Sequence, residues 1–87
     1  MSAEITVYGK PGCSKCTKTT TALENAKIDF TYHDISVDAQ ALKEALSYGY
    51  SQAPVVVLDG AYGELIAKSW SGYNETNIAS LVALTTV

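Results

Sequence analysis

The chain contains no arginine, and its six lysines are outnumbered by nine carboxylates. Nucleic-acid binders need a basic stripe to neutralise phosphates, so that class is set aside. Long apolar runs are also missing. The longest, Pro54 to Leu58, is far too short to cross a bilayer. The opening Met1-Ser2-Ala3-Glu4 has no basic segment and no apolar h-region. No secretory signal or membrane association is therefore expected, and the expected location is cytoplasmic. Cysteine is scarce: Cys13 and Cys16 are the two in the chain. A small secreted domain stapled by disulfides usually carries more of them, closing longer loops. A bridge between residues so close removes little chain entropy from the unfolded state, so as a staple it is poor. Chemistry is the better reason for the pair. Histidine is limited to His33, which the strand pattern places on a polar, solvent-facing side. A structural zinc site needs four ligands, and no carboxylate stands at ligand spacing, so no metal is expected.

What is present reads as one globular domain spanning 1–87, with 47% apolar and 17% charged residues. Glu4 to Tyr8 is rich in β-branched and aromatic residues and reads as a strand, broken by Gly9-Lys10-Pro11-Gly12. From Cys13 to about Lys27, residues Cys16, Thr19, Thr20, Leu23 and Ala26 share one helical face. Ile28 to Ile35 alternates as a second strand, which completes a βαβ unit with parallel strands. Asp38 is placed to cap a second helix whose buried stripe is Leu42, Ala45, Leu46 and Gly49, with Gly49 as its stop. Pro54 to Leu58 is a continuous apolar strand, suited to the centre of a covered sheet. After the Asp59-Gly60 turn, Glu64 to Ser69 is expected to return as a fourth strand. Ser71 or Asn74 then caps a last helix striped by Ile78, Leu81, Val82 and Thr85. The expected order is β-α-β-α-β-β-α: an α/β fold with a four-stranded mixed sheet, three helices, and the first and third strands central.

This order puts Cys13 at the N-terminus of the first helix and Cys16 one turn inside it. Residues i and i+3 share a helical face, so the sulfurs can meet. Free N–H groups and the positive helix end favour thiolate over thiol at Cys13, with Lys10, Lys15 and Lys18 close in sequence. Cys13 is thus the expected nucleophile and Cys16 the resolving thiol. A CxxC following a strand inside a βαβ pattern is a thioredoxin-like signature. The competing readings are half of a zinc site and two small core hydrophobes. Ala53-Pro54 taken alone is an ordinary trans bond at a strand start. Trp70 is expected to pack in the core with its indole N–H bonded, and Tyr8 and Tyr50 to lie near the active face.

Three segments together resemble the NrdH redoxins, glutaredoxin-like proteins of the thioredoxin fold. They are Thr6-Val7-Tyr8-Gly9-Lys10-Pro11-Gly12-Cys13-Ser14-Lys15-Cys16, Gly49-Tyr50-Ser51-Gln52-Ala53-Pro54-Val55-Val56 and Trp70-Ser71-Gly72-Tyr73. The resemblance implies that Pro54 is cis and beside a redox-active Cys13–Cys16 pair, and that Ala53 pairs with an extended substrate segment. It also implies that Lys10, Gly72 and Tyr73 border the substrate. No bound cofactor is implied. Electrons are expected from NADPH through thioredoxin reductase, with glutathione as the alternative donor. The implied client is a class Ib ribonucleotide reductase or another disulfide-bearing protein, and the implied state is a monomer. A non-catalytic binding module of the same fold is the reading from another class.

Two departures stand out. The family's usual Phe-Arg-Pro after Trp-Ser-Gly is here Tyr73-Asn74-Glu75, which removes a charged fork donor and a fixed backbone angle. Ser14-Lys15 replaces the common Val-Gln between the cysteines. A lysine beside the thiolate stabilises the reduced form and makes the protein less reducing; in such a two-electron couple about 1.4 kcal/mol corresponds to about 30 mV. At the place where glutaredoxins hold the γ-glutamyl end of glutathione with a Gly-Gly-Cys-Asp-like turn, this chain has Ser71-Gly72-Tyr73-Asn74 with no aspartate in register.

Overall fold

β-Branched residues at both central strands set the frame. The computed structural model describes residues 4–85. Strand β1 (Glu4–Gly9) runs parallel to β2 (Thr31–Asp34) and antiparallel to β3 (Val55–Asp59); β3 pairs antiparallel with β4 (Ser69–Ser71). The sheet order is β2-β1-β3-β4, the thioredoxin-like arrangement, with the first and third strands central. The helices are α1 (Ser14–Asn25), α2 (Ala39–Ser47), a five-residue α3 (Ala61–Leu65) and α4 (Glu75–Thr85).

Two cores follow from strand alternation. Ile5, Val7, Val56 and Leu58 face α1 and α4, where Leu23, Ile78 and Leu81 meet them. Tyr8, Val55 and Val57 face α2 through Ala41 and Ala45. Val7 and Val56 are fully enclosed, each contributing about 1.5–3 kcal/mol by leaving water. Helix α1 carries many threonines yet buries Thr19 completely. The Thr19 hydroxyl donates to the Lys15 carbonyl at 2.9 Å, which removes the cost of an unpaired buried hydroxyl.

The structure departs from the expected pattern at several places. The second strand begins at Thr31, because Ile28 is committed elsewhere. Helix α1 ends in a Schellman turn: Lys27 takes φ 59°, Lys27 N–H donates to the Glu24 carbonyl, and Ile28 N–H donates to the Leu23 carbonyl at 2.9 Å. Ile28 and Leu23 then join the same core.

The stretch expected as a fourth strand from Glu64 to Ser69 instead begins within α3, and the strand comes later, at Ser69–Ser71. Among the described residues there are therefore four helical elements rather than three. Gly63 N–H donates to the Gly60 carbonyl, which folds the chain back over the end of β3. Tyr62 and Ile66 then pack onto the core.

On α2 the residues against the sheet are Ala41 and Ala45, at 2% and 3% exposure; Leu42 and Leu46 remain 39% and 56% exposed. Small side chains let the helix approach Tyr8 closely, and the leucines stand on its flank. Asp38 does cap this helix, accepting from Ala41 N–H at 3.0 Å, and Gly49 takes a left-handed φ of 86° beyond its end. Of the two candidate caps for the last helix, Asn74 takes the role, accepting from Asn77 N–H at 3.0 Å, while Ser71 lies in β4.

Trp70 is buried in the core, but its indole N–H has no hydrogen-bond partner among the described residues. The fully buried side chains that share its core are aliphatic. His33 is half-buried and stacks on Tyr8, with ring centroids 5.4 Å apart.

Two glycines differ in what a methyl group would meet. At Gly63 a Cβ would stand 2.5 Å from the Leu58 carbonyl oxygen, a backbone atom; at Gly9 it would stand 2.6 Å from Tyr32 Oη, the free end of an exposed ring. Gly63→Ala is expected to lower stability by about 1–3 kcal/mol and Gly9→Ala by less, as read from urea midpoints. A larger loss for Gly9→Ala would contradict this.

Tyr8 donates to Glu44 at 3.2 Å, and burial, that hydrogen bond and the Glu44 charge push its phenol up to about 12. An unfolded tyrosine titrates near 10. Folding thus favours the protonated phenol, so this stabilisation is complete below about pH 10 and is lost as pH rises through about 12. Tyr32, raised by burial and the Asp34 charge, acts in the same direction. Denaturation followed over this range is expected to show a shallower decline in Tyr8→Phe than in the parent chain.

Candidate active site

Antiparallel pairing of β1 with β3 places Tyr8 opposite Val55. The loop leaving β1 and the loop entering β3 therefore lie side by side. The first loop delivers Cys13 to the start of α1. The second delivers Ala53 and Pro54, joined by a cis peptide bond. Pro54 is fully buried. A third loop, between β4 and α4, is tied in by Gly72 N–H, which donates to the Pro54 carbonyl at 2.8 Å.

Cys13 is the N-cap of α1. Its backbone is extended, and its Sγ accepts from Cys16 N–H at 3.2 Å. The Cys13 carbonyl accepts from both Thr17 N–H and Thr17 Oγ1. The sulfur thus takes the place that serine or aspartate oxygen takes at most helix starts, satisfying a free donor of the first turn. The Ala53 carbonyl oxygen lies 3.8 Å from Cys13 Sγ. Cys16 sits one turn inward at 3% exposure, whereas Cys13 is half-buried. The two sulfurs are bonded, with Cα atoms 5.2 Å apart, inside the ordinary span of a disulfide.

The two sulfurs are unequal: Cys13 is the more accessible, and its sulfur receives the Cys16 N–H. Lys10, Lys15 and Lys18 are exposed around it and pair with no carboxylate among the described residues. Nor is there, among those residues, any group of three His, Cys, Asp or Glu that could hold a metal ion.

Grooves open on either side of the pair. One, of about 420 Å³, has Lys10, Cys16, Thr20, Glu24, Phe30 and Tyr32 among its lining residues. The other, of about 200 Å³, is lined by Lys10, Leu42, Leu46, Tyr50 and Ala53 among others. Lys10 stands at the border of both. Tyr73 lies farther along α1, where Lys18 Nζ sits 5.8 Å from its ring centroid above a groove that also holds Glu75.

Of the residues singled out from the sequence, Cys13, Cys16, Ala53, Pro54 and Gly72 are drawn together. Lys10 borders the site and Tyr73 stands at its margin. Tyr50 lines the smaller groove, and its hydroxyl shares a hydrogen bond with Ser69 Oγ at 2.9 Å. Tyr8 does not face the cysteines: its ring lies under α2 and its hydroxyl points to Glu44. Sequence reasoning missed Tyr32, Leu42 and Leu46 as groove walls. A signal for Tyr32 was present in Gly9, whose missing side chain leaves the space that ring occupies. The two leucines gave no such signal, since their spacing is also that of a buried stripe.

The glutaredoxin family model matches residues 5–62. No curated protein sequence matches the chain. Among solved structures, NrdH-redoxin from Escherichia coli, described as a glutaredoxin-like protein with a thioredoxin-like activity profile, is 31% identical, with a TM-score of 0.75 over 90% of this chain and 93% of that one. A glutaredoxin from Archaeoglobus fulgidus is 28% identical, with a TM-score of 0.68 over 92% of this chain and 86% of that one. A thioredoxin-like protein is 25% identical, with a TM-score of 0.76 over 90% of this chain and 99% of that one.

Lys15 separates the contribution of side-chain charge from that of the helix end. In reduced Cys16→Ser protein, the pH midpoint for alkylation of Cys13 by iodoacetamide is expected to move up when Lys15 becomes Glu. An unchanged midpoint would assign the thiolate's stabilisation to the helix N-terminus alone.

Proposed function

The chain belongs to the glutaredoxin family, and within that family we propose that it works as an NrdH-type dithiol redoxin reduced by thioredoxin reductase. The supporting observation is the pair itself: an accessible sulfur capping α1 and a buried partner one turn inside. The Cys13 thiolate attacks one sulfur of a client disulfide, forming a mixed disulfide and releasing the other client sulfur as thiolate. The Cys16 thiolate then attacks the Cys13 sulfur, forming the Cys13–Cys16 disulfide and releasing the second client thiolate. Two electrons have passed to the client. Reduction of the new disulfide by a flavoprotein using NADPH closes the cycle. The proposed client is the disulfide of a class Ib ribonucleotide reductase, and the proposed setting is cytoplasmic. Among the described residues no helix is long and apolar enough to cross a membrane.

The donor assignment rests on the turn entering α4. Gly72 is there, but its N–H is already used by Pro54, and the next residues are Tyr73 and Asn74 rather than a carboxylate. Glutathione is the second reading, favoured by the family match itself.

Two coupled assays decide between them. NADPH consumption with a disulfide substrate is expected in the presence of thioredoxin reductase, and to be at least tenfold slower with glutathione and glutathione reductase. The reverse ranking would move the protein to the glutathione-dependent members. In either assay Cys13→Ser is expected to abolish turnover, and Cys16→Ser to accumulate a mixed disulfide visible by mass spectrometry.

A further inference from the structure

Charge is unevenly divided over this acidic chain. Residues 5–23 contain three lysines and no carboxylate, residues 45–58 are uncharged, and so are residues 69–74. These are the stretches that supply Cys13, Ala53 and Gly72 to the site. All nine carboxylates lie elsewhere in the sequence. In a protein of net charge −3, the segments that form the site thus bring three lysines and no carboxylate, and the adjoining larger groove adds one, Glu24. Beside the site is a largely apolar groove whose lining includes Leu42, Leu46, Tyr50, Ala53 and Lys10. Leu42 and Leu46 are exposed there because alanines take the positions against the sheet.

We propose that the client segment carrying the disulfide is acidic, with an apolar side chain beside its reactive cysteine that lodges between Leu42, Leu46 and Tyr50. The inference rests on the redoxin reading and adds the chemistry of the substrate. Charge complementarity carries it: an extended strand laid along Ala53 brings its neighbouring side chains past Lys10, which has no carboxylate partner among the described residues. The opposite margin differs. There Lys18 lies over Tyr73 and shares its groove with Glu75, which offsets its charge. Lys10 shares the larger groove with Glu24 in the same way, but among the residues lining the smaller groove, where the client segment would lie, Lys10 is the one charged side chain, and selectivity for acid is centred there.

The test uses the intact reduced chain and three short disulfide peptides of one sequence, with a leucine next to the reactive cysteine and flanks that are acidic, neutral or basic. At low ionic strength kcat/KM for the acidic peptide is expected to exceed that for the basic one by about tenfold. The ratio is expected to fall toward unity in about 1 M salt, where the screening length is about 3 Å. Lys10→Gln is expected to reduce the ratio more than Lys18→Gln, and replacing the peptide's leucine by serine to lower kcat/KM for the acidic peptide severalfold. Equal reduction of the three peptides overturns the inference and leaves the redoxin reading standing, as does a ratio unmoved by salt or by Lys10→Gln. An equal rate for the serine peptide overturns the groove assignment. Failure to reduce any of the peptides overturns the redoxin reading, and the inference with it.

Discussion

The antiparallel register of the two central strands is the constraint on which the site depends. With Tyr8 opposite Val55, the chain leaves β1 where it enters β3, and the loops bearing Cys13 and Pro54 have to be neighbours. Neither loop could be moved by local sequence changes without slipping the register, and a slip of one residue would turn Val56 from one core to the other. Because β3 is buried on both faces, that slip is strongly opposed. The rigidity needed to hold a sulfur near a backbone carbonyl is thus borrowed from the centre of the sheet.

Much of this was legible in the sequence where a short-range signal and a long-range demand agreed. The apolar run from Val55 to Leu58 announced a central strand, Asp38 announced a helix start, and Cys13 fell where a helix had to begin. The failures came where one residue served a role outside its pattern. Ile28 continues the alternation of the following strand, yet it serves as the apolar closure of a Schellman turn. Leu42 and Leu46 have helical spacing, but alanine was the side chain small enough to face Tyr8. The stretch after Gly60 has weak alternation because part of it is helical. The unpartnered indole of Trp70 could not be foreseen, since it depends on which side chains surround it in three dimensions.

The site divides in the same way. The two cysteines and Ala53-Pro54 are readable because their chemistry needs those residue types at fixed places. Groove walls such as Tyr32 need only an aromatic surface, and many residues supply one. The balance of charge was visible as a count, but which charges stand near the cysteines required knowing which stretches converge. The groove walls thus carry no signature in the sequence, whereas the cysteine pair they surround does.

The capping role of Cys13 also bears on reorganisation energy. Its sulfur accepts the Cys16 N–H while bonded to the Cys16 sulfur. As a thiolate the same atom is a stronger acceptor, and in a mixed disulfide it is still a sulfur with lone pairs. The first turn of α1 consequently keeps its acceptor throughout a cycle of exchange. Thiol-disulfide exchange swaps the partner of one sulfur, and here that sulfur already carries its backbone contact in the disulfide.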